Sequence, residues 1–489
     1  MKPWKPFLLK SINFTIIIIL SFSCAVSHVT GKKQFMLMSE AQEIEMGKEY
    51  DPQVIATFGL YNNEPMQAFV RQKGNELAKV SDWSSLQYHV KVLDSPVVNA
   101  FAVPGGYIYL TRGILAQINN EAELAGIIGH EMGHIAARHS VSQMSKAQVG
   151  QLLIVAGMIA SKDFAKYAGY AMAGMQLLFL KFSRDDEREA DALGVKYSSK
   201  MGYDAHKMAD FFMVLKKMDM AGEQGGVPTF LSTHPDPGDR YVTVNQLATK
   251  WQDSLGFTTW KVSQDSYLQL INGIVYGEDP RQGFVEGNTF YHPDMKFKFA
   301  FPAGWKLENT PAQVNMAPAD GKAMMVFALA RGSSLQDAAW KTLQALELTL
   351  QQSRNTTVNG MPALVTISSQ VSQDPATGQQ QTIKVLSYFI NYNSAYYVFH
   401  GVAADIDYNA YTRTFETAIT SFNKLADPAK LNVRPKKIIV KPVPKTGTVS
   451  EAFKSLGVPQ NKMNEMALLN DLELTEQVQA GRLVKVVGE

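Results

Sequence analysis

The run His130-Glu131-Met132-Gly133-His134 constrains the fold of this chain more than any other feature of its sequence. Residues four apart lie one turn apart on the same face of an α-helix, so a helical run would place the two imidazoles side by side. Two histidines so placed can bind Zn²⁺, and the glutamate between them can act as a general base on water. The run therefore predicts a helix that carries a metal site with hydrolytic chemistry, with peptide-bond hydrolysis as the first expectation.

The residues that precede this run support a buried helix. Asn120 followed by Glu123 is typical of a helix start in which a capping residue has a partner three positions later. Glycine lowers helix propensity, so glycines inside a helix indicate close packing against another element. Hydrogen bonding without a metal is the alternative explanation for two buried histidines. The predicted helix carries an apolar stripe, Leu124, Ile127 and Ile128, and three glycines away from it, Gly126, Gly129 and Gly133.

A catalytic zinc site needs three protein ligands and one open position. The H-E-x-x-H-x-x-G-x-x-H pattern does not supply the third ligand here, because Ala137 stands at its glycine and Ser140 at its last histidine. Cysteine is excluded as well, because Cys24 is the only cysteine of the chain. We therefore expect a carboxylate as the third ligand.

The acidic segment 183–194 offers two carboxylates at a suitable spacing. Ser183 or Asp185 is expected near the N-cap of a helix. On such a helix Glu187 and Asp191 share one face, so one can bind the metal while the other orients a ligating histidine. The alternative is a solvated acidic face that pairs with the arginines at positions 184 and 188, and the segment taken alone favours it.

Taken together, the motifs HEMGHIAARHS and SRDDEREADALG resemble metallopeptidase family 48, whose paired motifs are H-E-x-x-H and E-x-x-x-D. The resemblance covers residues 38–250. It implies a mainly helical, zincin-type domain with a small β-sheet and one Zn²⁺ per chain. The absence of a polytopic membrane pattern favours the BepA-like branch of the family.

The same resemblance assigns roles to individual residues. Asp191 is implied as a second-sphere residue beside a ligand, and His139 matches the family's run after the first motif in a supporting role. Glu189 is a near miss, since a slip of one position would put it on the wrong face. The implied zinc ligands are His130, His134 and Glu187, with Glu131 as the general base.

The segment 97–110 predicts a β-hairpin, because two β-rich runs are joined by Pro104-Gly105-Gly106. The resemblance places Asn99, Ala100 and Phe101 on an edge strand beside the zinc, where an extended substrate backbone could pair with the strand. An ordinary core hairpin is the alternative.

The run from Thr233 to Arg240 matches a T-H-P motif that follows the second zinc motif in BepA-like members. His234 is therefore a candidate catalytic residue. It could donate a hydrogen bond to the oxyanion of the tetrahedral intermediate, or it could occupy the fourth zinc position and keep the enzyme latent. A plain surface loop is the alternative.

Residues 1–27 predict a secretory signal peptide, since two lysines precede an apolar stretch and small residues. Cys24 stands where a bacterial lipoprotein would be acylated, although Leu20 lies one position too early for that motif. Lipid anchoring through Cys24 and cleavage after Ser27 both remain open. Either outcome predicts an extracytoplasmic, periplasmic protein, and the single cysteine excludes an intramolecular disulfide.

The rest of the chain predicts further domains around the zinc metalloprotease domain at 32–280. Residues 149–182 are expected to form a helical hairpin over the active site. An α+β domain is expected at 285–425, with helices near 335–352 and 406–424, and its Phe301-Pro302-Ala303-Gly304-Trp305 resembles the start of PsbP-like domains. A basic linker at 434–445 would then lead to a LysM-like domain at 436–489, a class that binds N-acetylated glycans.

These expectations describe a multidomain α+β zinc endopeptidase that degrades misfolded or misassembled envelope proteins. Its partners would be unfolded polypeptides, with an association with the outer membrane or peptidoglycan left open. Lys+Arg 47 against Asp+Glu 45 gives no electrostatic argument for nucleic acid. Two alternatives remain: a latent protease that acts as a substrate-holding chaperone or scaffold, and a cell-wall-tethered glycan-binding protein.

Overall fold

The computed structural model describes residues 24–146, 182–220, 229–235, 239–373 and 380–489. Within these ranges the chain is a multidomain α+β protein with several sheets, as the sequence predicts. No described helix is both long and apolar enough to cross a membrane. The predicted signal peptide and the predicted hairpin at 149–182 lie almost entirely outside the described residues.

The first unit is mainly helical and contains a small sheet. Its strands are β1 (Cys24–Val26), β2 (Lys33–Phe35), β3 (His89–Leu93), β4 (Ala100–Val103) and β5 (Tyr107–Thr111). Its helices are α1 (Glu40–Phe58), α2 (Glu64–Ala78), α3 (Arg112–Gln117), α4 (Glu121–Ala136), α5 (Arg184–Lys200), α6 (His206–Met220), α7 (Thr229–Thr233), α8 (Arg240–Leu255) and α9 (Gln264–Ile271). Residues 139–146 are also helical.

The small sheet has the order β3-β5-β4, with β3 parallel and β4 antiparallel to β5. Strands β4 and β5 form the hairpin that the sequence predicts, with its turn at 104–106. Among the described strands β4 pairs with β5 alone, which makes it an edge strand there, and it packs beside α4. This position brings the edge strand next to the helix that carries both histidines.

Helices α4 and α5 approach each other closely because small residues face each other between them. A Cβ atom at Gly129 would lie 3.1 Å from the carbonyl oxygen of Gly194, and one at Gly133 would lie 3.1 Å from that of Ala190. A Cβ at Gly126 would meet Met208 of α6 at 2.8 Å. The close packing predicted from these glycines is therefore present, and it fixes α4 and α5 at a short distance.

The second unit is built on a seven-stranded antiparallel sheet with the order β12-β13-β14-β15-β11-β10-β9 and a four-stranded sheet with the order β16-β8-β7-β6. Its strands are β6 (Phe284–Glu286), β7 (Thr289–His292), β8 (Phe297–Ala300), β9 (Lys306–Asn309), β10 (Gln313–Ala317), β11 (Ala323–Ala330), β12 (Thr349–Val358), β13 (Met361–Gln373), β14 (Gln380–Tyr392), β15 (Ala395–Ala404) and β16 (Asn423–Lys424). Its helices are α10 (Leu335–Ala345) and α11 (Asp405–Thr420). A 3₁₀ turn at Pro280–Gln282 precedes β6.

One helix prediction in this unit is wrong at its end. The helix expected near 335–352 stops at Ala345, because Glu347 adopts a positive φ of 51° and β12 begins at Thr349. Pairing with β13 outweighs helix propensity in this polar segment.

The last unit begins where the sequence predicts a linker, and that prediction is wrong. Residues 437–442 form a strand that pairs with the final strand of the chain. They also bond to the end of the first unit, since Gly273 N donates to Ile438 O at 2.7 Å and Ile438 N donates to Ile274 O at 2.9 Å. The elements are α12 (Pro428–Leu431), β17 (Lys437–Pro442), β18 (Gly447–Thr448), α13 (Val449–Ser455), α14 (Met463–Leu469), β19 (Gln477–Val478) and β20 (Leu483–Gly488).

The buried apolar residues of the first and last units form one continuous core, whereas the second unit has its own. Phe453 and Val484 of the last unit belong to the same cluster as Ile127 and Ile128 of α4. The last unit therefore packs against the first unit, with α14 against α6 and with β17 and β20 against α9.

Candidate metal centre

Two capped helices present the residues of the candidate centre. Asn120 caps α4, where its side chain accepts from Glu123 N, and the Glu123 carboxylate accepts from Asn119 N at 2.8 Å. Ser183 caps α5 in a complete capping box with Asp186. Both helix starts agree with the sequence prediction, and they set the helical phase that turns the functional side chains inward.

Four buried side chains offer ligand atoms that all lie within 4.8 Å of one another. His130 Nε2 is 3.1 Å from His134 Nε2 and 3.6 Å from a Glu187 carboxylate oxygen, and His134 Nε2 is 3.4 Å from the other oxygen. His234 Nδ1 lies 3.3 Å from His130 Nε2 and 3.0 Å from Glu187 Oε1. Ligands about 2.0 Å from a tetrahedral ion would lie roughly 3.3 Å apart, so these spacings match a four-coordinate metal ion.

The chemistry of the cluster also fits a metal ion. The facing nitrogens of His130 and His134 can share only one hydrogen, and Glu187 Oε2 has no hydrogen-bond partner among the described residues. Buried polar groups are normally paired, so this incomplete network is costly unless a cation satisfies it.

Burial determines the protonation of the two helix histidines. It lowers the pKa of His130 and of His134 well below the usual value, so both imidazoles are neutral at pH 7 and each has a lone pair for a metal. Burial alone would raise the pKa of Glu187, but the charge of His234 and hydrogen bonds from His134 and His234 outweigh it. The pKa of Glu187 therefore lies below its usual value, and the group is a carboxylate.

The residues around the donors fix the ring orientations. Asp191 Oδ1 accepts from His130 Nδ1 at 2.9 Å, so Nε2 of that ring carries the lone pair that faces the cluster. His134 Nδ1 lies 2.9 Å from His139 Nδ1, and His139 Nε2 lies 3.2 Å from Glu189 Oε2. Glu189 contacts His139 and not the four donor side chains, which is consistent with the interpretation that Glu189 is not a metal ligand.

His139 reaches His134 because the helix breaks between them. Residues five apart do not face each other on a continuous helix. Arg138 adopts a positive φ of 57°, and its guanidinium is held by Glu43 Oε2 at 2.7 Å and Met38 O at 2.9 Å. This turn ends α4 and folds His139 back on the preceding turn.

Glu131 is completely buried, and neither carboxylate oxygen has a hydrogen-bond partner in the described part of the chain. The nearest charged contact is His234 Nε2, 3.6 Å from Glu131 Oε1. Burial raises the pKa of Glu131 to about 7. A carboxyl with that pKa can both accept and donate a proton near neutral pH.

Strand β4 holds the three residues that the sequence placed beside the metal. Ala100 and Phe101 are on β4, with Asn99 directly before it, and all three are buried. The Phe101 ring stacks on Tyr109 at 5.1 Å, so this side chain packs in the core below the sheet. The Asn99 side-chain oxygen is buried without a partner among the described residues.

Sequence reasoning missed Arg240, the first residue of α8. Its guanidinium donates to Asp191 Oδ1 at 2.6 Å and lies 3.5 Å from Glu187 Oε2. The same group stacks on the Phe212 ring at 3.6 Å. The only sequence signal for Arg240 was its position at the end of the run that begins with Thr233. Two rings that cover the imidazoles were also missed: Phe182 against His134 at 4.0 Å, and Phe230 against His234 at 4.5 Å.

Residues 65–248 match the sequence model of Peptidase family M48. These residues are a peptidase family M48 domain. The metal cluster lies inside this domain, because all four of its residues fall between 65 and 248.

The chain is also similar to curated proteases. The chain is 27% identical over 239 residues to the Beta-barrel assembly-enhancing protease of Escherichia coli, a match that covers 47% of this chain and 48% of that protein. It is 28% identical over 216 residues to the Mitochondrial metalloendopeptidase OMA1 of Schizosaccharomyces pombe, covering 43% and 63%. The human mitochondrial metalloendopeptidase OMA1 is 25% identical over 268 residues, covering 50% of each chain. The chain thus spans about half the length of most of these relatives.

The likeness to the solved structure of a PsbP protein is weak. The cyanobacterial PsbP protein of Synechocystis aligns with 28% of this chain and 91% of its own, at 10% identity and a TM-score of 0.23. At that score the alignment does not establish a shared fold.

Proposed function

We propose that this protein is a zinc-dependent metalloendopeptidase that hydrolyses peptide bonds. The observation that carries the proposal is the group of four buried donors at tetrahedral spacing within an M48 domain. His130, His134 and Glu187 are the proposed ligands of one zinc ion. Imidazole nitrogens with a carboxylate suit zinc, which accepts a tetrahedral site of this kind.

The chain's own residues would handle the protons of the reaction. A bound zinc ion would supply a Lewis acid that polarises the scissile carbonyl and lowers the pKa of water. Glu131 would take the proton of the attacking water and return it to the leaving amine, which its pKa of about 7 allows. Asp191 and His139 would hold the two imidazoles in the tautomer that leaves Nε2 free.

We further propose that the protein as folded is latent. A catalytic zinc site keeps one position open, and His234 Nδ1, 3.0 Å from Glu187 Oε1 and 3.3 Å from His130 Nε2, would take that position here. Substrate could bind only after this imidazole moves away. In the alternative role, the displaced His234 would donate a hydrogen bond to the oxyanion.

Metal analysis together with casein cleavage tests both proposals. Wild type, His234→Ala and Glu131→Gln should each contain one zinc ion per chain. We expect His234→Ala to cleave casein faster than wild type, and Glu131→Gln to show no cleavage. Less than half an equivalent of zinc in all three proteins would refute the ligand assignment.

We propose unfolded or misassembled polypeptides of the bacterial envelope as substrates. An edge strand beside the metal supports this, because pairing with the β4 backbone selects extended chains with little side-chain preference. The name of the bacterial relative, Beta-barrel assembly-enhancing protease, supports an envelope setting. A periplasmic location, with Cys24 as the site of a lipid anchor, is part of the same proposal, as is an association with the outer membrane or peptidoglycan.

A second candidate function is a substrate-holding chaperone or scaffold. The His234 contact with Glu187 favours it, since a closed centre could bind chains without cleaving them. Suppression of aggregation by Glu131→Gln, measured on an unfolded model substrate, separates the two functions. If Glu131→Gln loses proteolysis but still suppresses aggregation, the holding activity is independent of the metal chemistry.

The domain limits and the two smaller resemblances are proposals as well. We propose a peptidase domain at 32–280, a PsbP-like domain at 285–425 and a LysM-like domain at 436–489. Deletion of 436–489 would remove strand β17 from the peptidase core, so glycan binding is better tested on the intact chain by peptidoglycan pull-down. The glycan-binding alternative predicts that peptidoglycan retains the intact protein. Excess chitin fragments should then release the protein.

A further inference from the structure

The second unit contains an elongated cavity on the face of its seven-stranded sheet that α10 covers. The cavity has a volume of about 650 Å³ and runs beside the C-terminal half of α10. Its lining extends from Gln370 on β13 across β14, β15 and β11 to Gln313 on β10. Neighbouring strands lie about 4.8 Å apart, so a cavity that crosses five strands is roughly 19 Å long. Its volume is typical of a small-molecule site, which is about 300–1,000 Å³.

Most of the residues that line this cavity are aliphatic. Val326, Ala328 and Val402 form part of the floor together with the buried Val385 and Val398. The only ring that lines it is the imidazole of His400, and burial lowers the pKa of His400 to about 4. The floor is therefore uncharged at pH 7, and it favours a hydrocarbon.

The backbone around the cavity is already paired. Strands β10, β11, β13, β14 and β15 each have a neighbour on both sides in the sheet. A peptide laid across them would find few free donors or acceptors for its own amide groups, and unpaired buried amides are costly. An occupant without backbone amides, such as an acyl chain, fits this surface better than a polypeptide.

The charged residues of the lining are all cationic. Arg331 and Lys341 line the cavity, and none of the described aspartates and glutamates does. Lys341 Nζ is bonded to Asp337 at 2.8 Å, whereas Arg331 forms no ion pair within the described ranges. Arg331 therefore has a guanidinium free for a carboxylate, an anion whose planar geometry it matches.

We propose that this cavity binds a single-chain fatty-acid anion. The hydrocarbon chain lies along the aliphatic floor between α10 and the sheet, and the carboxylate pairs with Arg331. The site is separate from the metal centre, because the second unit has its own hydrophobic core. Ligand binding here is independent of peptide hydrolysis.

Displacement of a fluorescent fatty-acid analogue by palmitate, measured on the intact protein, tests the proposal. Arg331→Glu should weaken palmitate binding roughly fivefold or more, because an exposed ion pair is replaced by repulsion. Arg413→Glu is the matched control: it reverses an arginine on α11, outside the cavity lining, and should leave the affinity unchanged. Palmitate methyl ester carries no charge, so Arg331→Glu should not alter its binding.

A second variant fills the cavity. Ala328→Trp should abolish displacement by both palmitate and its ester, with zinc content and casein cleavage as checks that the rest of the protein is intact. If Ala328→Trp does not fold, the effect of Arg331→Glu on palmitate binding, compared with its effect on ester binding, still tests the proposal. No saturable palmitate binding by wild type overturns the proposal. So does palmitate binding that Arg331→Glu and Ala328→Trp both leave unchanged, or displacement of the probe by unfolded peptides and not by palmitate.

Discussion

At the scale of single residues, the candidate centre depends on side chains that contact the donor residues on the side away from the proposed metal position. Asp191 is held between the His130 ring and the Arg240 guanidinium, at 2.9 Å and 2.6 Å. Burial raises the pKa of Asp191 to about 6 although Arg240 opposes this. Spacing placed Glu187 and Asp191 on one helix face, and the family resemblance implied that Asp191 supports a ligand. Arg240 joins the site only through the packing of α8, which no local pattern encodes.

Asp191→Asn tests this support. We expect the variant to bind zinc about 10- to 100-fold more weakly, because removal of a second-sphere carboxylate typically has an effect of that size. Competition with a zinc chelator measures the affinity. Asp185→Asn, on the exposed side of the same helix, is the control and should behave as wild type. Equal affinities for the two variants would contradict the role of Asp191.

His400 gives a residue-scale prediction about pH. Its pKa is about 4 in the folded protein and about 6.5 in an unfolded chain, so the unfolded state binds more protons between these values. Stability should therefore fall as pH drops from 7 to 5, by roughly 2 kcal/mol from this group. Denaturant unfolding of wild type and His400→Gln at both pH values measures the effect. A loss of stability of the same size in the two proteins would contradict the assignment.

At the scale of elements, the contact between α4 and α5 brings the two motifs together. The glycines of the first motif predict that some element packs closely, and the structure shows that the backbone of α5 fills the space. The sequence also predicts both caps correctly. It does not predict the positive φ of Arg138, because that turn is stabilised by Glu43, an ion partner far away in sequence.

Gly129→Ala should destabilise the protein in spite of the better helix propensity of alanine. The new methyl group would lie 3.1 Å from the carbonyl oxygen and 3.2 Å from the Cα of Gly194, and backbone atoms cannot move aside as a side chain can. Overpacking of this kind costs about 1–3 kcal/mol, whereas the gain in helix propensity is about 1 kcal/mol. Thermal unfolding measures the difference. A variant more stable than wild type would show that the two helices separate easily.

At the scale of the whole molecule, the last unit is part of the peptidase core. Lys485 is fully buried, and its ammonium donates to the carbonyls of Ala116, Gln117 and Ile118 at the C-terminal end of α3, at 2.8 to 3.0 Å. A cation at this position complements the helix end. The sequence predicts a basic linker before this unit, because it does not show that residues 436–438 pair with 273–276.

Lys485→Met should therefore destabilise the first unit as well as the last. It removes the Lys485 donor from three buried carbonyls. Gln117 O keeps a bond from the Asn119 side-chain amide at 3.1 Å, and each group left unsatisfied costs about 1–3 kcal/mol before relaxation. Hydrogen exchange of α3 and α4 in the intact protein should become faster. Lys462→Met, which replaces an exposed lysine of the same unit, is the control. Unchanged exchange in α3 would mean that the two units are not coupled through this contact.

X-ray absorption at the zinc edge tests the central claim most directly. For the intact wild-type protein the account predicts one zinc ion with three imidazole nitrogens and one carboxylate oxygen at roughly 2.0–2.1 Å. In His234→Ala one imidazole should be replaced by a water oxygen, with the other ligands unchanged. A wild-type site with only two imidazoles would contradict the latent arrangement, and a protein that binds no zinc at all would contradict the metal centre itself.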